Sequence, residues 1–130
     1  MKPGLVVGNR AEVCIDVTED MCPAFDGVVV HRVYSTWSMA HHMELAARKA
    51  LMPYLEDHEE GLGTHLSIDH LSPTPVGKKV RIEAVVSQVD ARGVVCDVRA
   101  YEGARLVGRG KQVQRVLPKK KILSLIERYQ

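Results

Sequence analysis

Aromatic side chains are scarce in this chain: one Trp, one Phe and four Tyr among 130 residues. Binders of single-stranded nucleic acid stack bases on rows of such rings, so that mode of recognition is poorly supplied. Cysteine is sparse and unpatterned. Cys14, Cys22 and Cys96 are odd in number and unrelated in spacing, which argues against a disulfide framework and for a reducing, cytoplasmic setting. No apolar run reaches the roughly 18 residues of a membrane span. The opening Met1-Lys2-Pro3-Gly4-Leu5 lacks the apolar stretch of a secretory signal. HExxH, CxxC and Cys–His ligand spacings are missing, so no metal site is expected. A P-loop, GxGxxG and GxSxG are also missing, which removes the local signatures of nucleotide binding and of a nucleophile elbow.

What remains is one ordinary domain, residues 1–130, with 45% hydrophobic and 26% charged residues. That length supports a core without disulfide or metal staples. The net charge of +2 conceals an asymmetry: residues 1–62 carry 5 Lys and Arg against 10 Asp and Glu, whereas residues 63–130 carry 13 against 6. A basic second half suits an anionic partner, although charges on exposed strand faces are ordinarily just solvated. With so few aromatics, a small anion fits better than nucleic acid. Neither nucleic acid nor a membrane is expected as a partner.

The apolar spacing divides the chain into one helix and several strands. Ala11–Val17 alternates as a half-buried strand, and the Asp26-Gly27 punctuation precedes a short apolar run, Val28-Val29-Val30. From Ser38 to Tyr54 the period changes. Met39, Met43, Ala46, Ala47, Ala50, Leu51 and Tyr54 form one helical stripe. Ser35, Thr36 and Ser38 are potential caps, and Pro53 should close or disturb the last turn. The stripe is rich in Ala, so a sheet can approach it closely. Beyond the acidic loop around Glu56–Glu60 the period becomes two. Thr64, Leu66, Ile68 and His70 are assigned to one face, and His65, Ser67 and Asp69 to the other. Strands over Lys79–Val89, Val94–Tyr101 and Arg105–Leu117 follow, the first two joined by Asp90-Ala91-Arg92-Gly93 as a hairpin. Gly108 and Gly110 fit close backbone packing within the last strand. A short terminal helix is expected from the apolar residues Ile122, Leu123, Leu125 and Ile126. The sum is α+β, one long helix on an antiparallel sheet.

Three residues offer chemistry. His70 shares the parity of Leu66 and Ile68, which directs its imidazole toward the helix; a satisfied core histidine would look the same. Glu44 lies at the margin of the helical stripe, where it can reach the helix–sheet boundary or pair with Arg48 one turn on. Thr36 and Ser38 sit where free amides and the helix dipole favour an anion or a developing oxyanion, and where simple capping would also place them. His41 and His42 are adjacent on the helix and splay about 100° apart, a poor chelate.

Nearly the whole chain, and most strongly the stretch from Tyr34 to Lys79, resembles the hotdog-fold acyl-CoA thioesterases, and among them the fluoroacetyl-CoA thioesterase family. The likeness rests on Ser35-Thr36, Met43-Glu44, Ala50-Leu51-Met52-Pro53-Tyr54-Leu55-Glu56, Gly61-Leu62-Gly63-Thr64, His70 and Thr74-Pro75-Val76-Gly77. It implies a hotdog fold, in which an antiparallel sheet wraps one long central helix. It further implies a catalytic set of Thr36, Glu44 and His70, which match the family's Thr, the Glu eight residues later and the His of the next long strand. Gly63 matches a glycine beside the substrate carbonyl, and Arg115 an arginine whose role stays open. Val30 takes the position of a phenylalanine lid in the fluoroacetate-specific member, so fluoroacetyl specificity is not implied.

The expected activity is hydrolysis of an acyl-CoA or related acyl thioester to free acid and thiol. Glu44 would serve as nucleophile or general base, His70 as acid/base, and Thr36 would orient Glu44 or the substrate carbonyl. No cofactor is expected, since the thioester is already activated; coenzyme A enters as part of the substrate. Its phosphates would meet basic residues of the second half, such as Lys78, Lys79 or Lys119-Lys120-Lys121. The alternatives are a non-catalytic acyl-CoA or lipid-ligand binding module, and a hotdog dehydratase or hydratase, whose Asp-x-Asn-Pro-x-His signature does not occur. The resemblance implies a homodimer with sites at its interface, and this fits a small chain that offers little concave surface for a ligand as long as CoA.

Overall fold

The computed structural model describes residues 1–130. Its strands are β1 (Arg10–Asp16), β2 (Ala24–Phe25), β3 (Val28–Val29), β4 (Glu59–His70), β5 (Lys79–Asp90), β6 (Gly93–Glu102) and β7 (Arg105–Pro118). Its helices are α1 (Thr36–Leu51) and α2 (Lys119–Arg128). The five long strands form one antiparallel sheet in the order β1-β5-β6-β7-β4, with β2 and β3 as a separate two-stranded ribbon. The sheet curves round α1, the arrangement that the resemblance implied. No helix is long and apolar enough to cross a membrane.

Helix α1 begins two residues before the apolar stripe suggested. Ser35 is its N-cap, with the side chain accepting from the Ser38 amide at 3.2 Å, one of the orphan donors that every helix start must satisfy. The Ser35 amide donates to Met21 O and the Tyr34 amide to Thr74 O, so the cap is tied to two other segments. At the far end the helix stops at Leu51, and Met52–Tyr54, which contains Pro53, forms a 3-10 turn. Met39, Met43, Ala46, Ala47, Ala50 and Leu51 are buried. They pack on Val80, Ile82, Ala84 and Val86 of β5, Val94, Cys96, Val98 and Ala100 of β6, and Val107 and Val116 of β7.

Small residues set how closely helix and sheet approach. A Cβ at Gly108 would fall on the Met39 sulfur, and one at Gly110 on the Ser67 carbonyl of β4. The two glycines therefore serve different neighbours, one the helix and one the adjacent strand.

One expectation about β4 needs correction. The pairing of β4 with β7 runs Gly63↔Gln114 and then His65↔Val113, so Thr64 is the extra residue of a β-bulge. A bulge resets which face each side chain takes. Thr64 is exposed rather than aligned with Leu66, Ile68 and His70, and N-terminal to it the odd-numbered Gly61 and Gly63 face the helix. The ribbon of β2 and β3 is closed by Asp26 and Gly27, with φ of 51° and 78°. Left-handed backbone at both central residues of a two-residue turn is the geometry that matches the twist of a tight hairpin.

Candidate active site

His70 ends β4, and the chain beyond it is held by the Leu71 amide donating to Val107 O at 2.8 Å. This places the imidazole against the start of α1, where Thr36 Oγ1 and His70 Nδ1 lie 2.9 Å apart in a hydrogen bond spanning 34 residues of sequence. The other ring nitrogen, Nε2, is buried and has no hydrogen-bond partner. Burial lowers the imidazole pKa from its ordinary 6.5, opposed in part by the Ser72 backbone, so the ring is neutral at pH 7. Ser35 accepts the Ser38 amide through its side chain and the Met39 amide through its carbonyl, leaving the Thr36 and Trp37 amides without a partner. A groove of about 520 Å³ lies over the pair, lined largely by Pro23, Phe25, Val33, Tyr34, Trp37 and Leu71.

Glu44 sits farther along the same helix, in a second cavity of about 240 Å³ with His41, Leu45, Arg48, Gly61 and Gly63. It does not pair with Arg48. That guanidinium instead meets Glu60 of β4 at 2.9 Å, and Glu44 Oε2 accepts from Gln112 Nε2 at 3.1 Å. Gly63 makes room for the carboxylate: a Cβ there would stand 2.8 Å from Glu44 Oε2 and 3.2 Å from Gln112 Nε2. The chain thus brings Thr36 together with His70, and Glu44 together with Gly63. The eight residues from Thr36 to Glu44 amount to about 12 Å of helix, and the two groups line separate cavities.

Gln112 is the residue that the chain pattern alone did not single out. It is 1% exposed, and its Oε1 has no partner. Its signal lay in the alternation of β7, where Arg109, Lys111 and Arg115 point outward and Gly108, Gly110, Gln112, Gln114 and Val116 take the other face. An amide on the inner face of a strand otherwise flanked by outward cations has to find a polar partner inside. Tyr34 and His42 form a further buried pair behind the groove, Oη to Nδ1 at 2.5 Å. Burial raises the Tyr34 pKa and lowers that of His42, so the phenol keeps its proton and donates to the neutral ring.

Two of the residues expected to contact substrate line neither cavity within one chain. Val30 is 49% exposed and is not among the residues lining either cavity. Arg115 lines a third, small cavity with Gln88, Asp90, Arg92 and Gly93, which shares Gln114 with the Glu44 cavity. No cluster of three His, Cys, Asp or Glu side chains is placed to hold a metal ion.

One long helix wrapped by an antiparallel sheet, with a Thr–His pair at the helix start, defines a hotdog protein of the thioesterase type. The sequence model of the fluoroacetyl-CoA-specific thioesterase family matches residues 17–120, and the chain belongs to that family. The fluoroacetyl-CoA thioesterase of Streptantibioticus cattleyicolor is 34% identical over 85 residues, which cover 65% of this chain and 61% of that protein. The chain therefore matches somewhat less than two thirds of this relative's length. Among solved structures, a Thermus thermophilus hypothetical protein of the thioesterase superfamily is similar with a TM-score of 0.92 and 36% identity, covering 98% of this chain and 94% of that one. An alanine mutant of the fluoroacetyl-CoA-specific thioesterase is similar with a TM-score of 0.89 and 27% identity, covering 99% and 100%.

The neutral His70 has a consequence for pH. Its pKa in the fold is lowered, so the unfolded chain binds the proton first as pH falls. Stability should therefore be full above about 6.5 and decline below it, until the folded ring is also protonated. His42, lowered by burial and by His41, acts with the same sign. We expect the acid limb of kcat/KM to lie below pH 6.5, and the melting temperature to drop between pH 7.5 and 5.5. A rate limb centred above 6.5 would contradict the burial of His70.

Proposed function

We propose that the protein hydrolyses an acyl-CoA, or a related acyl thioester, to free acid and thiol. The observation that carries this reading is the Thr36–His70 hydrogen bond beneath an apolar groove that His70 helps to line, with the buried Nε2 still lacking a polar partner within the chain. In this reading Thr36 orients His70, beside the expected role of orienting Glu44 or the substrate carbonyl. Glu44, as nucleophile or as general base on water, delivers oxygen to the thioester carbon. The carbonyl electrons shift to an oxyanion beside the unpartnered Thr36 and Trp37 amides. As the centre collapses the C–S bond breaks and its electron pair goes to sulfur. The thiolate takes a proton from His70 Nε2, and the proton that the attacking water gives up to Glu44 replaces it; on the nucleophile route water then opens the acyl–Glu44 anhydride and supplies that proton. One water is consumed, and an acid and a thiol leave. A CoA-bearing substrate accords with a structure of the fluoroacetyl-CoA-specific thioesterase mutant, 28% identical to this chain, in complex with fluoroacetate and CoA.

The working unit in this reading is a homodimer. Within one chain the Thr36–His70 pair and Glu44 are too far apart on α1 to act on one carbonyl. Strand β4 is a 12-residue sheet edge with unpaired backbone groups along its outer side, and such edges ordinarily need a partner or a cover. Two-fold pairing there would set Glu44 of the partner subunit against each Thr36–His70 pair, so each site draws on both chains. The phosphates of CoA would meet free cations of the second half. Lys78 and Lys119–Lys121 make no ion pair, whereas Lys79 is held by Asp16 at 2.8 Å. The three cysteines are free, in keeping with a reducing cytoplasm.

The test is release of free CoA thiol from short, branched, aromatic and long acyl-CoAs, with light scattering on the same sample. Thiol release by a dimer is expected. Tight acyl-CoA binding without release would favour a non-catalytic binding module instead, and a monomer at micromolar concentration would count against the shared site.

A further inference from the structure

The chain's single Trp and single Phe are both kept out of the core and placed together at the mouth of the Thr36–His70 groove. Phe25 is 58% exposed and Trp37 48%. Their rings meet edge to face, with centroids 5.5 Å apart and planes at 89°. Each ring stands on a short, constrained support. Phe25 precedes the Asp26-Gly27 turn of the ribbon, and Trp37 lies in the first turn of α1 beside Thr36, behind the Ser35 cap. Large rings ordinarily bury themselves, and an adjoining exposed pair beside a cleft signals an apolar ligand.

The occupant follows from the chemistry beneath. With a thioester carbonyl within hydrogen-bond reach of Thr36 and His70, one arm of the substrate runs along Trp37, which lines the same groove, and it is the acyl arm that is assigned there. A two-carbon acyl group ends before it can cover these rings. An acyl group that carries a ring can continue the edge-to-face packing. Resting on the hydrolase reading above, we infer that the Phe25–Trp37 pair is the acyl-selecting wall of the site, and that the substrate class is an acyl thioester bearing an aromatic ring.

Because Trp37 is the only tryptophan, its emission reports this wall alone. The probes are ketone analogues of phenylacetyl-CoA and acetyl-CoA in which a methylene separates carbonyl from sulfur, titrated into the full-length protein. The phenylacetyl analogue should change Trp37 emission at a concentration at least about tenfold below that needed by the acetyl one. In parallel, the kcat/KM ratio of phenylacetyl-CoA to acetyl-CoA should fall about tenfold in Phe25→Ala and in Trp37→Ala, with Phe25→Leu and Trp37→Phe as milder replacements should either alanine variant fail to fold. Hydrolysis with no preference for the aryl substrate, or a preference untouched by these replacements, would overturn the wall while leaving the hydrolase reading intact. A selective emission change without turnover of any acyl-CoA would do the reverse, supporting the aromatic wall in a binding module.

Discussion

Replacing Glu44 or His70 by alanine is expected to lower kcat for thiol release by about 10²–10⁴-fold, the range supplied by one positioned acid or base. The two losses arise at different places. His70→Ala removes the ring that Thr36 orients at 2.9 Å, and Glu44→Ala removes the carboxylate seated between Gly63 and Gln112. Glu44→Gln is the sharper control. Its amide oxygen can still accept from Gln112 Nε2, so packing is kept while charge and basicity go, and a comparable loss is expected. If each site combines groups from two chains, co-expressing Glu44→Ala with His70→Ala gives mixed dimers that each hold one intact site. About a quarter of the wild-type activity should return on random pairing. Sites built within single chains would recover nothing. Undiminished turnover in both single variants would remove Glu44 and His70 from the mechanism.

The second large effect concerns stability. Gly110 lies in the middle of β7, paired with Ile68 of β4 and Val98 of β6. A Cβ there would land on the Ser67 carbonyl oxygen and stand 2.7 Å from its carbon, and backbone inside a sheet cannot step aside as a side chain can. Gly110→Ala should therefore part β4 from β7 or unfold the chain. The expected cost is about 4 kcal/mol or more, a fall of about 15 °C in melting temperature for a domain of this size. Gly108→Ala is the comparison, because its Cβ would meet the sulfur and methyl of Met39, the far end of a flexible side chain that can rotate. Thermal unfolding of the two variants side by side checks this; equal small losses would mean that β4 and β7 are less tightly apposed than described.

Much of the architecture was legible along the chain because it rests on local periods. The stripe from Met39 to Leu51, the closing role of Pro53 and the Asp90–Gly93 turn all depend on neighbours within a few residues. In that turn, the Arg92 and Gly93 amides donate to Asp90 Oδ1. The inward aim of His70 was legible for the same reason, since no bulge lies between Leu66 and His70. The bulge at Thr64 was not, because a strand that alternates well in sequence carries no mark of where its partner skips a residue. Nor was the choice made by Arg48. Glu44 one turn away is the nearest carboxylate in sequence, yet Glu60 of β4 takes the guanidinium and leaves Glu44 to Gln112. That outcome depends on the register of two strands against the helix.

The sparse aromatics show the same division. By itself the sequence determined one long helix with a small-residue face and a following set of antiparallel strands, since each of these is written in periods of 2 and 3.6 residues. Only the tertiary structure decided that Thr36 meets His70, that Gly63 receives Glu44, and that Phe25 rather than Val30 stands with Trp37 over the groove. Those are distances between residues remote in sequence. They are set by strand register, a bulge and the seat of the helix on the sheet, which no local pattern encodes.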